Sequence, residues 1–533
     1  MSTPAEAHGK IALALWAPAA VGMGVFAANV AAVHRFTVDD AYITLRYSRN
    51  VARGIGAVYN ATGARAEGYT SFLWMVLLAL THVLRQNALA VAKALGVLFA
   101  VGTCGLTAAW TFAEMRPSRA RVLASSAAVA GYAVLPRTAI HAVSGMETAL
   151  FTTLLTAALF AATRLARDGA RWALPFSLVA LAAALTRPEA SLAIGVAGLS
   201  AVALQPRAER MRTFITMLFV CAAPLVGYEL WRLHYYGLPL PLPFYVKLAS
   251  ADAVPGAEPV VSWLGSELRF VVPLVFFLKS PERHLRPALF SVLSLVLFFF
   301  LPQHLMGYDS RYLSPVDPAM CVFFGLGVGR LFSSDVAAFA STRAAFARRF
   351  VRVAPAASTL VAFVVPAAVS VAETPSVFRD RLDYADGLAA AHERLGRDLA
   401  SVRAKNPRLA ISDAGAVPYL SGWWTLDLIG LNDAQIAVTG SREPAQVLAR
   451  GPDLLVLIST ERDRFVPYDW NAFERPLFDA ATAAGFARVD LRRFASDYWL
   501  WVLARPGFER RTGADRLSFI ERSETETGGP RPR

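Results

Sequence analysis

The sequence predicts an α-helical polytopic membrane protein that ends in a small α/β domain. Three observations carry this. The 533 residues are 55% hydrophobic and only 17% charged, against about a quarter charged in soluble globular chains. The apolar residues fall in blocks of about 16–24, the length a helix rising ~1.5 Å per residue needs to cross ~30 Å of hydrocarbon. Past residue 375 the blocks give way to short apolar runs, "RLAIS", "DLLVLIS" and "YWLWVLAR", separated by Gly, Pro and Asp. That is the patterning of a small α/β domain.

In chain order, the blocks place eleven spans at 11–33, 90–112, 122–136, 148–163, 172–186, 188–204, 213–231, 262–278, 287–302, 315–332 and 353–373. The first is too long for a signal-peptide core and is read as a retained span. A twelfth apolar stretch, "TSFLWMVLLALTHVL" at 70–84, would invert every later loop if it crossed. Charge decides the matter. With 70–84 kept along the outer surface, the inner loops hold 17 Lys and Arg and the four short outer loops after the first hold 5, the sense of the positive-inside rule. Residues 1–374 are therefore expected to form the membrane domain. Its first outer loop covers about 34–69, and a juxtamembrane segment covers 70–86. The α/β domain at 375–510 lies on the same outer side, and 511–533 is a polar tail without a packed core.

The net charge of +13 does not point to nucleic acid, because the arginines sit in short loops between spans. Cys104, Cys221 and Cys321 each fall within an apolar block, with no metal-ligand spacing. No internal repeat is visible, which disfavours a transporter.

The outer loops concentrate ionisable residues where they are costly. The first, "DDAYITLRYSRNVARGIGAVYNATGARAEGYTS", holds Asp39, Asp40, Arg46, Arg53, Glu67 and Tyr69. Two adjacent carboxylates repel, so one can serve as a base near neutral pH; the same pair also suits a helix N-terminus. The glycines of "NVARGIGAVYN" do not form a phosphate-cradling pattern, so no nucleotide cofactor is expected. The second loop brings His141 and Glu147. The third, "TRPEA", brings Arg187 and Glu189 in a turn that suits an anionic ligand. The fourth, "HYYGLPLPLPFYVKLA", carries Tyr236 and Lys247, and the fifth, "HLMGYDSRYLSPVDP", carries His304, Asp309, Arg311 and Tyr312.

Read together and in this order, the motifs resemble the polytopic glycosyltransferases of the GT-C superfamily. Among these the pattern is similar to that of the actinobacterial terminal β-(1→2)-arabinofuranosyltransferases. The shared pattern is a pair of acids, an Arg-Asn run ending in Tyr-Asn, and Arg-x-Glu. It continues with "SGMET", "TRPEA", "YYGLPLPLPFYVK" and "GYDSRYLSPVDP", and with "DAGAVPYLSGWWTLDLIGLNDAQIA" in the C-terminal part. The order holds over roughly residues 35–440. Two motifs depart: the fourth commonly reads Leu-Pro-Asn-Thr and here is "LPLPFY", and the fifth often begins Gly-Gly-Asp and here is "MGYD". Both departures bear on the substrate more than on the reaction.

The resemblance implies a GT-C fold in a bacterial inner membrane, with the active site outside the cytoplasm. A sugar, arabinofuranose being the candidate, would pass from a polyprenyl-phosphate donor to an envelope glycan or glycolipid acceptor. Asp39 or Asp40 would take the acceptor proton in a single inverting displacement. Lys247, Arg187 and Arg311 would neutralise the leaving phosphate, while Glu67 and Glu147 would contact sugar hydroxyls or hold those cations. The "TSFLW" segment would roof the cavity behind the catalytic loop. Some members of the superfamily place a divalent metal at the first-loop acid, and the sequence leaves this open. Transfer to lipid A or protein is the alternative within the class. Lipid or polysaccharide transport and non-catalytic envelope assembly are the alternatives outside it.

Overall fold

The computed structural model describes residues 15–249, 257–270, 274, 277–278, 282–300, 308–332, 365–402 and 404–508. His304, the tail 511–533 and parts of the spans expected at 11–33, 262–278, 287–302 and 353–373 lie outside these residues. The chain divides into two compact units. One holds Met1–His34, Ala92–Leu230 and Asp252–Arg379; the other holds Arg35–Val91, Trp231–Ala251 and Asp380–Arg533.

The first unit is helical. Among the described residues five helices are long and apolar enough to cross a membrane: Ala88–Glu114, Thr148–Asp168, Arg207–Tyr236, Arg283–Phe300 and Ser314–Phe332. Three shorter apolar helices, Ala17–Val33, Ala170–Thr186 and Ala190–Leu204, lie at other expected blocks, and a fourth, Phe72–Val83, belongs to the second unit. Arg207–Tyr236 leaves Met211, Phe214, Phe219, Val226 and Leu230 exposed, an apolar surface suited to lipid. Inside the unit, small residues let helices approach closely, as they do in membranes. Ala158, Ala162, Ala193, Ala197 and Ala201 are buried beside Trp110, Phe151 and Phe176. At Gly325 a β-carbon would stand 2.5 Å from the Ala124 carbonyl oxygen. Buried hydroxyls bond back to their own helix, Thr107 to the Thr103 carbonyl at 2.8 Å and Ser177 to that of Ala173 at 2.7 Å, so no partner from another helix is needed.

The second unit is built on a five-stranded mixed sheet of order β2-β1-β3-β5-β4. The strands are β1 Arg408–Ile411, β2 Trp424–Asp427, β3 Leu454–Ser459, β4 Ala487–Ala495 and β5 Tyr498–Ala504. β1 is parallel to β2 and β3, while β5 is antiparallel to β3 and β4. β3 reads "LLVLIS" without alternation because both faces of the sheet are covered. Leu455 and Leu457 pack with Leu477 and Ala481 of the helix Glu474–Ala483. Leu454, Val456 and Ile458 pack with Ile43, Tyr47, Tyr59 and Met75, all from the first predicted outer loop and its juxtamembrane segment.

That second face was not expected from the sequence. The compact unit extends beyond 375–510 to include the first loop and the segment 231–251. The helix Phe72–Val83 has 12 residues, about 18 Å, too short to span. It packs beside the helix Asp39–Ala52, where the Ser48 hydroxyl donates to the Met75 carbonyl at 2.9 Å. Pro375, at the expected domain boundary, instead lies inside the helix Val365–Leu388.

Candidate active site

The helix Asp39–Ala52 begins at the acid pair, with Val38 extended at its N-cap and both carboxylates in the first turn, where the helix dipole favours them. The two acids differ in surroundings: Asp39 is half-buried and Asp40 exposed. The Asp39 carboxylate Oδ1 accepts the Ala416 backbone N–H at 2.8 Å, and the Asp39 N–H donates to the Tyr384 hydroxyl at 3.2 Å. Gly415 lies directly against it. A β-carbon there would stand 2.2 Å from the Asp39 carbonyl oxygen and 2.3 Å from Oδ2, so the close approach requires glycine.

Behind Asp39 sits a group that sequence reasoning missed. His392 is 2% exposed and its Nε2 lies 2.7 Å from Asp413 Oδ2, which also accepts the Tyr498 hydroxyl at 2.6 Å. Burial pushes the Asp39 carboxyl up to about 7, with the His392 charge pulling it down and Asp413 and Asp40 adding to the rise. Burial alone would lower the His392 imidazolium, but the hydrogen bond and charge of Asp413, with Asp39 and Glu393 beside it, hold it above its usual range. Asp413 could have been flagged, because it opens the "DAGAVPY" motif. His392 lies in a plain amphipathic helix and carries no signal.

The rest of the first loop is fastened to the C-terminal sheet. Arg46 is buried over the Tyr59 ring at 4.3 Å. It donates to the carbonyls of Tyr59 at 2.7 Å, Pro418 at 2.5 Å and Trp423 at 2.7 Å, and to Asn60 Oδ1 at 2.9 Å. Asn60 pairs with both backbone groups of Thr425 at 2.8 and 2.9 Å, covering the edge strand β2. Arg53 is exposed at the helix C-cap. Glu67 receives a forked pair of hydrogen bonds from Arg232, 2.9 Å from Nε and 2.7 Å from Nη2, with both side chains buried. The Tyr69 and Tyr236 hydroxyls meet at 3.1 Å, and that of Tyr236 also donates to the Ala57 carbonyl at 2.7 Å. Lys247 is half-buried on the helix Leu242–Ala249, whose first N–H bonds the Glu67 carbonyl at 2.9 Å.

The first unit gathers the remaining candidates. Glu147 accepts from Arg311 Nη2 at 2.8 Å, while Arg187 Nε lies 2.8 Å from Glu189 and 3.9 Å from Glu147. Arg187 stacks over Tyr312 at 4.7 Å. His141 Nε2 lies 3.0 Å from the Asp309 carbonyl oxygen. Asp309 and Ser310 both adopt positive φ, 48° and 54°, a conformation that costs energy in residues other than glycine and clusters at functional sites. A second buried cluster nearby in sequence, also missed, joins Arg137 to Asp317 at 2.6 Å and to Glu267, with Trp263 donating to Asp317 at 2.9 Å. The four arginines of the short outer loops that follow the first, Arg137, Arg187, Arg232 and Arg311, are each paired with a buried carboxylate. Among the described residues no group of three or more His, Cys, Asp or Glu is placed to hold a metal ion.

The fold is that of ArnT. ArnT from Cupriavidus metallidurans, solved with undecaprenyl phosphate and in the apo state, superposes with TM-scores of 0.57 and 0.56. The two comparisons cover 92% and 93% of this chain and 97% and 98% of ArnT, at 13% and 12% identity. In sequence the chain is similar to terminal β-(1→2)-arabinofuranosyltransferases. It is 30% identical over 297 residues to that of Corynebacterium glutamicum, covering 50% of this chain and 42% of the relative. It is 30% identical over 257 residues to that of Mycobacterium tuberculosis, covering 45% and 39%. The chain therefore spans about two fifths of the length of these relatives. Residues 384–503 match a family described as a domain of unknown function, DUF8728. The resemblance read from the motif order is thus borne out by both fold and sequence.

Proposed function

We propose that the protein is a membrane glycosyltransferase that moves a sugar, arabinofuranose in the first instance, from a polyprenyl-phosphate donor to a cell-envelope glycan. The reaction takes place on the extracytoplasmic face of the bacterial inner membrane. The observation that carries the reading is Asp39, a carboxyl held near neutrality at the start of the first-loop helix. A general base is most effective when its pKa lies near the working pH. Support for the lipid-linked donor comes from the shared fold of ArnT, and support for the sugar from the names of the relatives.

In the mechanism, Asp39 takes the proton from the acceptor hydroxyl as its oxygen bonds to the anomeric carbon. The bond from that carbon to the phosphate oxygen breaks, and the polyprenyl phosphate leaves with the electron pair. One displacement inverts the anomeric centre. Asp40, exposed beside the base, orients the sugar and stabilises its oxocarbenium-like charge. Lys247, in the same compact unit, is assigned to the leaving phosphate. Arg187 and Arg311, the other candidate cations, belong to the other unit, where Glu189 and Glu147 are their counter-ions. Arg46, Glu67 and Tyr236 act by holding the loop in shape.

The test is a transfer assay in proteoliposomes with a panel of polyprenyl-phosphate sugars. The expected result is product from the arabinofuranosyl donor, with an inverted anomeric centre. Product from no donor, with folded protein, would reject the reading.

A further inference from the structure

Two elements of the C-terminal domain converge on Asp39. The first is the helix that carries Tyr384 and His392. It runs through Val365–Leu388 and Arg394–Ser401, with a π-helical turn at Ala389–Glu393 between them. Single π-turns inside α-helices are frequent at functional sites; the chain has another at Leu218–Ala222, and this one carries His392. The second is the loop after β1, which supplies Asp413, Gly415 and the Ala416 N–H. The Glu474 carboxylate, bonded to Ser412, to the Ile458 N–H at 2.7 Å and to Asn471 at 2.9 Å, braces the start of that loop.

His392 makes its Nε2 contact to Asp413, yet its Nδ1 is fully buried with no hydrogen-bond partner among the described residues. The bare Nδ1 by itself suits a neutral ring, and what favours the cation is the negative charge around it. A protonated one gains the Asp413 carboxylate and a second acid, Asp39. The groups that bear on this pair are few. Asp40 acts from Asp39's own helix. Tyr384, Glu393 and Asp413 act from the two converging elements, with Tyr498 bonded to Asp413. Tyr42 holds Glu393 at 2.6 Å, and Arg397 pairs with the other Glu393 oxygen.

We propose that the His392–Asp413 pair completes the catalytic centre: His392, held as a cation by Asp413, is the positioning residue that keeps Asp39 ionised until the acceptor hydroxyl arrives. This rests on the reading of Asp39 as the base. It gives the domain of unknown function a part in the chemistry, because its buried histidine sets the charge of an acid that lies before its start in the sequence. His392 touches no reacting atom and acts through Asp39.

The experiment reads Asp39 directly and needs no substrate. The full-length protein in detergent is labelled with a carbodiimide, which reacts with protonated carboxyls, at a series of pH values. Labelling of Asp39 is quantified by peptide mass spectrometry. In the wild type the midpoint should lie near pH 7, where burial places Asp39. His392→Gln keeps a donor toward Asp413 and removes the charge, so the midpoint should rise by about one pH unit. Adding Asp413→Asn removes the remaining repulsion, so the double variant should fall between wild type and H392Q, because His392 acts more strongly on Asp39 than Asp413 does. A midpoint unmoved in H392Q, or one in the double variant that lies outside that interval, overturns the proposal. If H392Q fails to fold, the neutral double variant alone decides: a midpoint at or below wild type overturns it. Transfer assays of Asp39→Asn separate the two claims. Retained transfer would reject Asp39 as base, whatever the labelling shows.

Discussion

The Glu67–Arg232 pair gives the sharpest test of how the first loop is held. Glu67 is 2% and Arg232 3% exposed, the two are joined by a forked hydrogen bond, and 165 residues separate them in sequence. Glu67→Gln keeps the shape and removes the negative charge, leaving a guanidinium buried without its carboxylate. Breaking a buried pair from one side costs about 3–5 kcal/mol, whereas replacing both partners by apolar groups is often neutral. For a unit of this size each kcal/mol moves Tm by about 2–4 °C, so E67Q should lower it by roughly 10 °C. Glu67→Met with Arg232→Met should recover most of that loss. The assay is thermal unfolding in detergent, followed by near-UV circular dichroism. Equal destabilisation of single and double variants would refute the counter-ion argument. An unchanged Tm in E67Q with lost transfer would instead make Glu67 a sugar contact.

Three further outcomes follow from the same geometry. Gly415→Ala would drive a β-carbon into the Asp39 backbone and carboxylate. Transfer should fall about 100-fold through misplacement of the base, with overpacking costing only about 1–3 kcal/mol of stability; wild-type turnover in G415A would contradict the contact. Asp39 acts deprotonated and its carboxyl is raised to about 7. Transfer in steady-state assays should therefore decline as pH falls through about 7, and a flat profile between pH 5.5 and 8 would contradict the assignment. Glu474 is buried and pushed up to about 8, above its unfolded value. Its stabilising contribution is full below the unfolded pKa and is lost as pH rises through about 8. Glu474→Gln should flatten the dependence of Tm on pH over that window, and parallel curves for the two proteins would count against it.

The spans at 148–163 and 315–332 could be read from the sequence because an apolar block of that length has one stable setting, a helix in lipid. The acid pair could be read because two adjacent carboxylates at a membrane exit need a reason. The short strands β3 and β5 showed in their apolar runs. What the sequence concealed is partnership. Nothing in "AEGYT" says that Glu67 meets Arg232, and nothing in the helix around His392 marks it as a neighbour of Asp39. The apolar face of Asp39–Ala52, with Ile43 and Tyr47, could have packed on any surface; that it covers the C-terminal sheet depends on contacts across more than 300 residues, such as Arg46 with the Pro418 carbonyl.

The most direct measurement compares Asp39→Asn and Asp40→Asn side by side, as transfer from polyprenyl-phosphate arabinofuranose in proteoliposomes. The account predicts that D39N abolishes product while D40N retains a reduced rate with the same pH dependence as wild type. Substantial product from D39N, or complete loss confined to D40N, would contradict it.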